Sequence, residues 1–301
     1  MGLVLVDDIL QLGLARIQAE VDSAFDELIP IPNDSRSRLV EAMRYAAIGA
    51  GKRVRPLLLT ATAEMYNVDR EAALRAGCAV EAIHAYSLIH DDLPCMDDDD
   101  LRHGKPTVHR AFGEATAVLA GDSLHALAFE ILSMPEMSGD PFVRAELVRI
   151  LACASGYNGM AGGQVMDMVA GEKEFDLRAV TRLQQLKTGA LLGAAVEMGA
   201  VLGHVPPEAR GQLRAFARDI GLAFQIVDDL LDHEGDEAKA GKTLRKDADK
   251  GKSTFVSLMG PEAARDQARA LSEQAIGHLV HYDSEADLLR AIARYIVERD
   301  R

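Results

Sequence analysis

A chain of 301 residues with 48% hydrophobic side chains can bury a large core, and a net charge of −14 excludes the basic surface that nucleic-acid phosphates require. No run approaches the roughly 20 apolar residues of a membrane span, and the first residues lack the basic and apolar regions of a signal peptide. Cys78, Cys95 and Cys153 show neither metal-ligand spacing nor the density of a disulfide scaffold, so reduced thiols in a cytoplasmic protein are the expectation.

Proline sets the boundaries of the elements, because a helix interior rarely accepts it. The stretches between the prolines are rich in Ala, Leu, Arg and Glu, and their apolar positions recur at three and four. This pattern predicts helices over 4–28, 34–49, 55–65, 70–93, 115–133, 141–157, 176–202, 207–233, 261–279 and 284–299. No alternating β-branched run competes, and no repeat or linker divides the chain. The expectation is therefore an all-α fold with residues 1–301 in one domain. The glycine-rich segment 158–175 signals neither helix nor loop, and 235–252, rich in Gly, Lys and Asp, reads as an exposed loop.

The first motif, Gly49-Ala-Gly51-Lys52-Arg53-Val-Arg55-Pro56, sets three cations beside glycine ahead of a helix whose first residue is read as Pro56. Backbone N–H groups at a helix start attract anionic oxygen, and basic side chains grip it. On the next helix Glu81, His84, Ser87, Leu88 and Asp91 share one stripe, so His84 points the same way as the first aspartate of an acidic box. That box crowds six aspartates into residues 91–100. Asp91 and Asp97 stand six apart, about 240° around a regular helix, and address one ion only if Pro94 breaks the last turn. Glu81-x-x-His84 matches half of a di-iron ligand set, but no second copy follows. Lys187-Thr188-Gly189 places a lysine and a hydroxyl where glycine favours a kink. A second box, Phe224-Gln225-Ile-Val-Asp228-Asp229-Leu-Leu-Asp232, puts Asp228 and Asp232 on one helix face with Gln225 beneath.

Two unit charges so close repel by about 4 kcal/mol at an effective dielectric of 20, so a half-buried cluster of this kind calls for a cation. Hard oxygen ligands favour magnesium, which takes one or two carboxylates and completes its shell with water and substrate phosphates. Two boxes then read as two sides of one metal–phosphate site. Arg102-His103, Lys187, Lys242 and Lys252 are further positive points free to converge there.

With these motifs in their order, the chain resembles the trans-isoprenyl diphosphate synthases, most closely the bacterial short-chain branch that forms farnesyl diphosphate. The likeness runs from Gly-Lys-Arg-x-Arg-Pro at 51–56 to Gly-Lys-Ser-Thr at 251–254. It implies an all-helical bundle around a deep central cavity, three magnesium ions per site and a homodimer. It implies head-to-tail addition of isopentenyl diphosphate to dimethylallyl and then geranyl diphosphate. By position, Asp91, Asp92, Asp97, Asp228 and Asp232 resemble the metal carboxylates. Arg102, Lys187, Thr188, Gln225, Lys242 and Lys252 resemble the allylic diphosphate grip, and Gly51, Lys52, Arg55, His84 and His103 the isopentenyl diphosphate site. Tyr86 and Ser87 resemble the residues at the cavity floor that limit product length to fifteen carbons.

The chain departs from the family's Arg-Arg-Gly at Arg102-His103-Gly104, from a common second glycine at Ala50, and from a frequent glycine at Arg245. Three other readings stay open. A geranyl or geranylgeranyl diphosphate synthase differs only in product length. A terpene cyclase handles one diphosphate and has no use for Lys52 and Arg55. A non-catalytic cation-binding helical protein would turn over no allylic diphosphate.

Overall fold

The computed structural model describes residues 2–49, 51–171, 173–234 and 252–299, with side chains from Asp8 onward. Its helices in chain order are α1 (Gly2–Leu28), α2 (Ser37–Ala47), α3 (Val54–Glu64), α4 (Arg70–Asp91), α5 (Val108–Phe112), α6 (Glu114–Ser133) and α7 (Pro141–Ser155). They continue with α8 (Met160–Val169), α9 (Leu177–Gln184), α10 (Ala190–Leu202), α11 (Gly211–Glu234), α12 (Phe255–Met259), α13 (Pro261–His278) and α14 (Asp287–Glu298). A two-stranded antiparallel ribbon, β1 (Leu101–Arg102) and β2 (Lys105–Pro106), is the only sheet among the described residues.

Helices α3, α4 and α10 are apolar on most sides, as helices enclosed by others must be. Pro56 through Ala63 of α3 are all buried, as are Ala76 through Ile83 of α4 and Met198 through Leu202 of α10. Around them α6 packs on α4 and α13 on α11, and one contiguous apolar cluster runs from Leu10 to Ile296. Helix starts are fixed locally. Asp69, Asp140 and Asp176 accept from the N–H groups of Ala72, Phe142 and Ala179 at 3.1, 2.8 and 2.8 Å, each cap being worth about 1 kcal/mol.

Several boundaries differ from the sequence pattern. Segment 158–175 contains α8, whose glycines serve close packing, as shown below. The single helix expected over 176–202 is divided by a π-helical turn at Gln185–Gly189, which ends on the glycine that signalled an irregularity. Helix α3 begins at Val54 rather than Pro56, which falls inside the first turn where its missing N–H costs no helical bond. The ribbon was not legible as strands because each has two residues. Its turn, His103-Gly104, has φ of 50° and 75°, the left-handed pair that a tight hairpin requires.

Helix α6 is, among the described residues, the one helix long and apolar enough to cross a membrane by length and composition. That exceeds what the sequence pattern promised. Its Ala117, Ala120, Gly121, Leu124, Ala128, Ile131 and Leu132 face the protein core.

Candidate active site

Helix α4 ends at Asp91, and the chain then folds back on itself. Met96 N–H donates to the Leu93 carbonyl at 2.8 Å and Asp97 N–H to the Asp91 carbonyl at 2.8 Å, so the turn at Pro94 returns Asp97 to Asp91. Both carboxylates line a cavity of about 600 Å³, a size that suits a small organic ligand. Burial, together with Asp97 and Asp92 and against the pull of Lys187, pushes the Asp91 carboxyl up to about 6.

The remaining walls come from five other parts of the chain. Helix α11 contributes Phe224, Gln225 and Asp228, and the π-helical turn contributes Lys187 and Thr188. Helix α8 contributes Gln164 and Asp167, while Arg55 and Lys252 enter from α3 and from the segment before α12. His84, Tyr86, Ser87 and His90 line the wall along α4. Helix α8 lies directly on the π-helical turn because Gly163 has no side chain, since a Cβ there would stand 2.3 Å from the Lys187 nitrogen.

That contact builds a feature the sequence pattern did not reveal. Lys187 Nζ and Lys252 Nζ both bond to Asp167 Oδ2, at 2.9 and 2.7 Å. Burial would raise the Asp167 carboxyl, but the two lysines outweigh it and hold it below the usual range. Lys187 in turn keeps its charge, because Asp167, then Asp91 and Asp97, outweigh the cost of burial. The sequence carries only a faint trace of it, Gly163 standing one helical turn before Asp167, and nothing there points to the two lysines.

Thr188 Oγ1 donates to Gln225 Oε1 at 3.0 Å, and Gln225 Nε2 donates to Asp229 Oδ1 at 3.3 Å. Asp229 also accepts from Phe255 N–H at 2.9 Å, so this buried member of the second box anchors α12. Asp228 faces the cavity, with Arg299 Nη2 3.4 Å from its Oδ1 and the Arg299 guanidinium stacked 3.9 Å over the Phe224 ring. Arg299 was also not anticipated; nothing in its sequence surroundings marks it. Asp232 sits one turn further along α11, half-buried and away from the cavity lining.

Asp92 and Arg102 correct the sequence expectation. Successive helical residues lie 100° apart, so Asp92 cannot face the same side as Asp91. It is buried, and it accepts from Arg102 Nε at 2.8 and 2.9 Å and from Arg102 Nη2 at 2.6 Å. The pair borders a neighbouring cavity of about 170 Å³ with Gly51, His84 and His103. The first box therefore offers Asp91 and Asp97 to the main cavity, while Asp92 binds an arginine.

Among the three cations of the 49–56 loop, Arg53 is structural: it is buried and pairs with Asp22 at 2.7 Å and Glu81 at 2.9 Å. Lys52 is exposed, with its Nζ 5.5 Å over the Tyr295 ring. Arg55 faces the main cavity with a buried Nε that has no hydrogen-bond partner, and burial lowers its pKa against the pull of Glu81. His84, pushed well below the usual histidine range by burial and by Arg55, Arg102 and Arg53, is a neutral imidazole. Lys242, with Ala50, Arg245 and Gly251, lies outside the described residues.

No three carboxylate, histidine or cysteine side chains converge to form a metal cage among the described residues. The donors instead stand on separate walls, with cations between them. The family described as Polyprenyl synthetase matches residues 36–294. The chain is 46% identical over 281 residues to farnesyl diphosphate synthase of Escherichia coli strain K12, covering 91% of this chain and 93% of that one. It is 45% identical to geranylgeranyl pyrophosphate synthase 11, chloroplastic, of Arabidopsis thaliana, covering 90% and 77%. The apo crystal structure of a FPP/GFPP synthase from Zymomonas mobilis superposes with a TM-score of 0.87 at 57% identity, over 96% and 98% of the two chains. This all-helical chain belongs to the polyprenyl synthetase family.

Proposed function

We propose that the protein is a magnesium-dependent prenyltransferase that condenses isopentenyl diphosphate with dimethylallyl and then geranyl diphosphate to give (2E,6E)-farnesyl diphosphate. The observation that carries this reading is one cavity in which Asp91 and Asp97 on one wall and Asp228 on another flank Lys187 and Lys252, with Tyr86 further along α4. The donor set fits magnesium: hard carboxylate oxygens, too few for a protein-only cage, with one carboxyl pushed up to about 6 by burial and like charge. Asp91, Asp97 and Asp228, with Asp232 one turn on, would hold three ions, and Asp92 is left out by its arginine. When bound, magnesium supplies positive charge to the leaving diphosphate oxygens.

The residues of the chain do the remaining work. Lys187 and Lys252, both held by Asp167, grip the allylic diphosphate, with Thr188 and Gln225 on the same cavity; Lys242, outside the described residues, joins this grip by resemblance alone. Arg55 offers an unpartnered N–H to the second diphosphate, with neutral His84, which lines both cavities, as a hydrogen-bond partner; Gly51 and His103 on the neighbouring cavity, and Lys52, are assigned to that diphosphate by resemblance. The allylic C1–O bond breaks with both electrons leaving on the diphosphate. The isopentenyl double bond then attacks that carbon and forms the new C–C bond. The tertiary cation so formed loses a proton to the released diphosphate, which restores a double bond. No protein nucleophile takes part; preorganised charge is the main source of rate.

Tyr86 precedes Asp91 by five residues, about 7.5 Å along the helix axis, and we read it, with Ser87, as the stop for a fifteen-carbon chain. A twenty-carbon product is the second reading, favoured by the 45% identity to a geranylgeranyl pyrophosphate synthase. In the same reading the whole chain is one polyprenyl synthase domain, working as a cytoplasmic homodimer. Chromatography of the products from dimethylallyl and labelled isopentenyl diphosphate tests it. Fifteen-carbon product is expected; hydrocarbon released from farnesyl diphosphate alone would make the protein a cyclase.

A further inference from the structure

Tyr86 is one of four rings in contact. Its ring meets the His90 ring edge-on, with centroids 5.7 Å apart and planes at 78°, and the His125 ring of α6 at 4.9 Å and 88°. His125 in turn meets Phe129, one turn along α6, at 5.1 Å. Tyr86 and His90 line the cavity, whereas His125 and Phe129 stand behind them on the neighbouring helix.

The support on the α4 side is fixed by the backbone of α6. His90 Nε2 lies 3.1 Å from the Val118 carbonyl, and its ring fills the notch over Gly121, where a Cβ would stand 2.1 Å from Nε2. The support on the other side is His125. Burial keeps its imidazole below the usual histidine range against the pull of Asp122, so it meets Tyr86 as a neutral ring. Two edge-to-face neighbours leave the Tyr86 ring little freedom to turn toward α6.

We propose that His125 is a positioning residue for product length: it buttresses Tyr86, so that the aromatic stop holds its place when a growing prenyl tail presses on it. The inference rests on the reading of Tyr86 as the stop and adds the reason that a single side chain suffices. A stop that yields is no stop. With His125 in place the ring is confined between two others. Without it, the space behind the ring becomes free, and the tail gains depth without any change at the diphosphate sites.

The test compares products of the wild type, His125→Ala, His125→Phe and Tyr86→Ala, from dimethylallyl and excess isopentenyl diphosphate at matched consumption. Loss of one edge-to-face contact is expected to raise the twenty-to-fifteen-carbon ratio of His125→Ala about two- to tenfold, with turnover close to wild type. His125→Phe restores the ring and the wild-type ratio, which a general loosening of the fold would not do. Tyr86→Ala lengthens product at least as far. If Tyr86→Ala lengthens product and His125→Ala leaves the ratio unchanged, the buttress is refuted while the stop stands. If Tyr86→Ala leaves the ratio unchanged, or the wild type makes no fifteen-carbon product, the stop itself falls and the buttress with it. Should His125→Ala fail to fold, His125→Ser, which is also small and suits a half-buried position, carries the same expectation and the same refutation.

Discussion

Replacing Asp91 by asparagine should stabilise the metal-free protein, which is unusual for a carboxylate in a functional cavity. Holding the Asp91 carboxyl near 6 rather than 3.8 amounts to about 3 kcal/mol against its ionisation in the folded state. Because the folded value is the higher one, the stability linked to this group is complete below pH 3.8 and is lost as pH rises through about 6. At pH 8 the ionised side chain therefore costs up to about 3 kcal/mol, and near pH 5 about half of that. Asparagine keeps the shape and removes the charge. Thermal unfolding in chelator should show Asp91→Asn melting higher than the wild type at pH 8, by about 5 °C for a chain of this length, with the gap about halved at pH 5. Magnesium with inorganic diphosphate should then raise the melting temperature of the wild type more than that of the variant. If the variant melts no higher at pH 8, or the gap ignores pH, Asp91 is a satisfied structural carboxylate and the metal reading loses its main support.

The same substitution one residue later should act in the opposite direction. Asp92→Asn deprives Arg102 of a buried, bidentate partner; removal of a charge that burial disfavours offsets part of that loss, and the variant should still melt lower than the wild type, so equal melting temperatures would contradict this. Asp167→Asn removes the anion shared by Lys187 and Lys252 and should cost about tenfold or more in kcat, the worth of one charge-assisted hydrogen bond, with little change in the product. Arg299→Gln takes a cation from beside Asp228, so manganese titrated by electron paramagnetic resonance, without substrate, should bind roughly fivefold tighter; weaker binding would make Arg299 a support for the metal rather than its competitor. His103→Arg should lower KM for isopentenyl diphosphate most at high pH, since arginine stays charged where an imidazole does not, and a KM that is unchanged across pH would remove His103 from that site.

What the sequence revealed of this site depended on whether position along one helix was enough. Asp91 and Asp97 were legible because their spacing conflicts with a continuous helix and Pro94 resolves the conflict in one way. Asp228 and Gln225 were legible because offsets of three and four share a face. Asp92 was assigned to the metal by resemblance to the motif, whereas it turns to Arg102, as the 100° between helical neighbours allows. Asp167 was invisible for a different reason. Its role depends on two lysines 20 and 85 residues away, and only the approach of α8 to the π-helical turn, permitted by Gly163, brings them together. Arg299 reaches Phe224 and Asp228 across 75 and 71 residues, and periodicity says nothing about contacts of that range. The all-α fold itself was legible throughout, whereas elements of five residues or fewer were not, because so short a stretch spans little more than one period and shows no repeat.

The pattern of pairing within the cavity accounts for how such an acidic protein binds two diphosphates. Most of its cations already have an anion in the chain: Lys187 and Lys252 share Asp167, Arg102 holds Asp92, Arg299 reaches Asp228, and Arg53 is held by Asp22 and Glu81. These pairs set the geometry in advance, although burial still pushes Asp92 up and Arg299 down. Two further groups, both on the main cavity, are perturbed by burial. Asp91 is pushed up by burial and by its neighbours, and Arg55 is pulled down by burial with a nitrogen left unpartnered. Each is a charge that folding has made unfavourable, one of each sign, facing the same cavity. In the proposed reading a divalent cation would relieve the first and a diphosphate oxygen the second. Strain of that kind persists only where the surrounding structure over-determines it, which here is the buried layer of α3, α4 and α10.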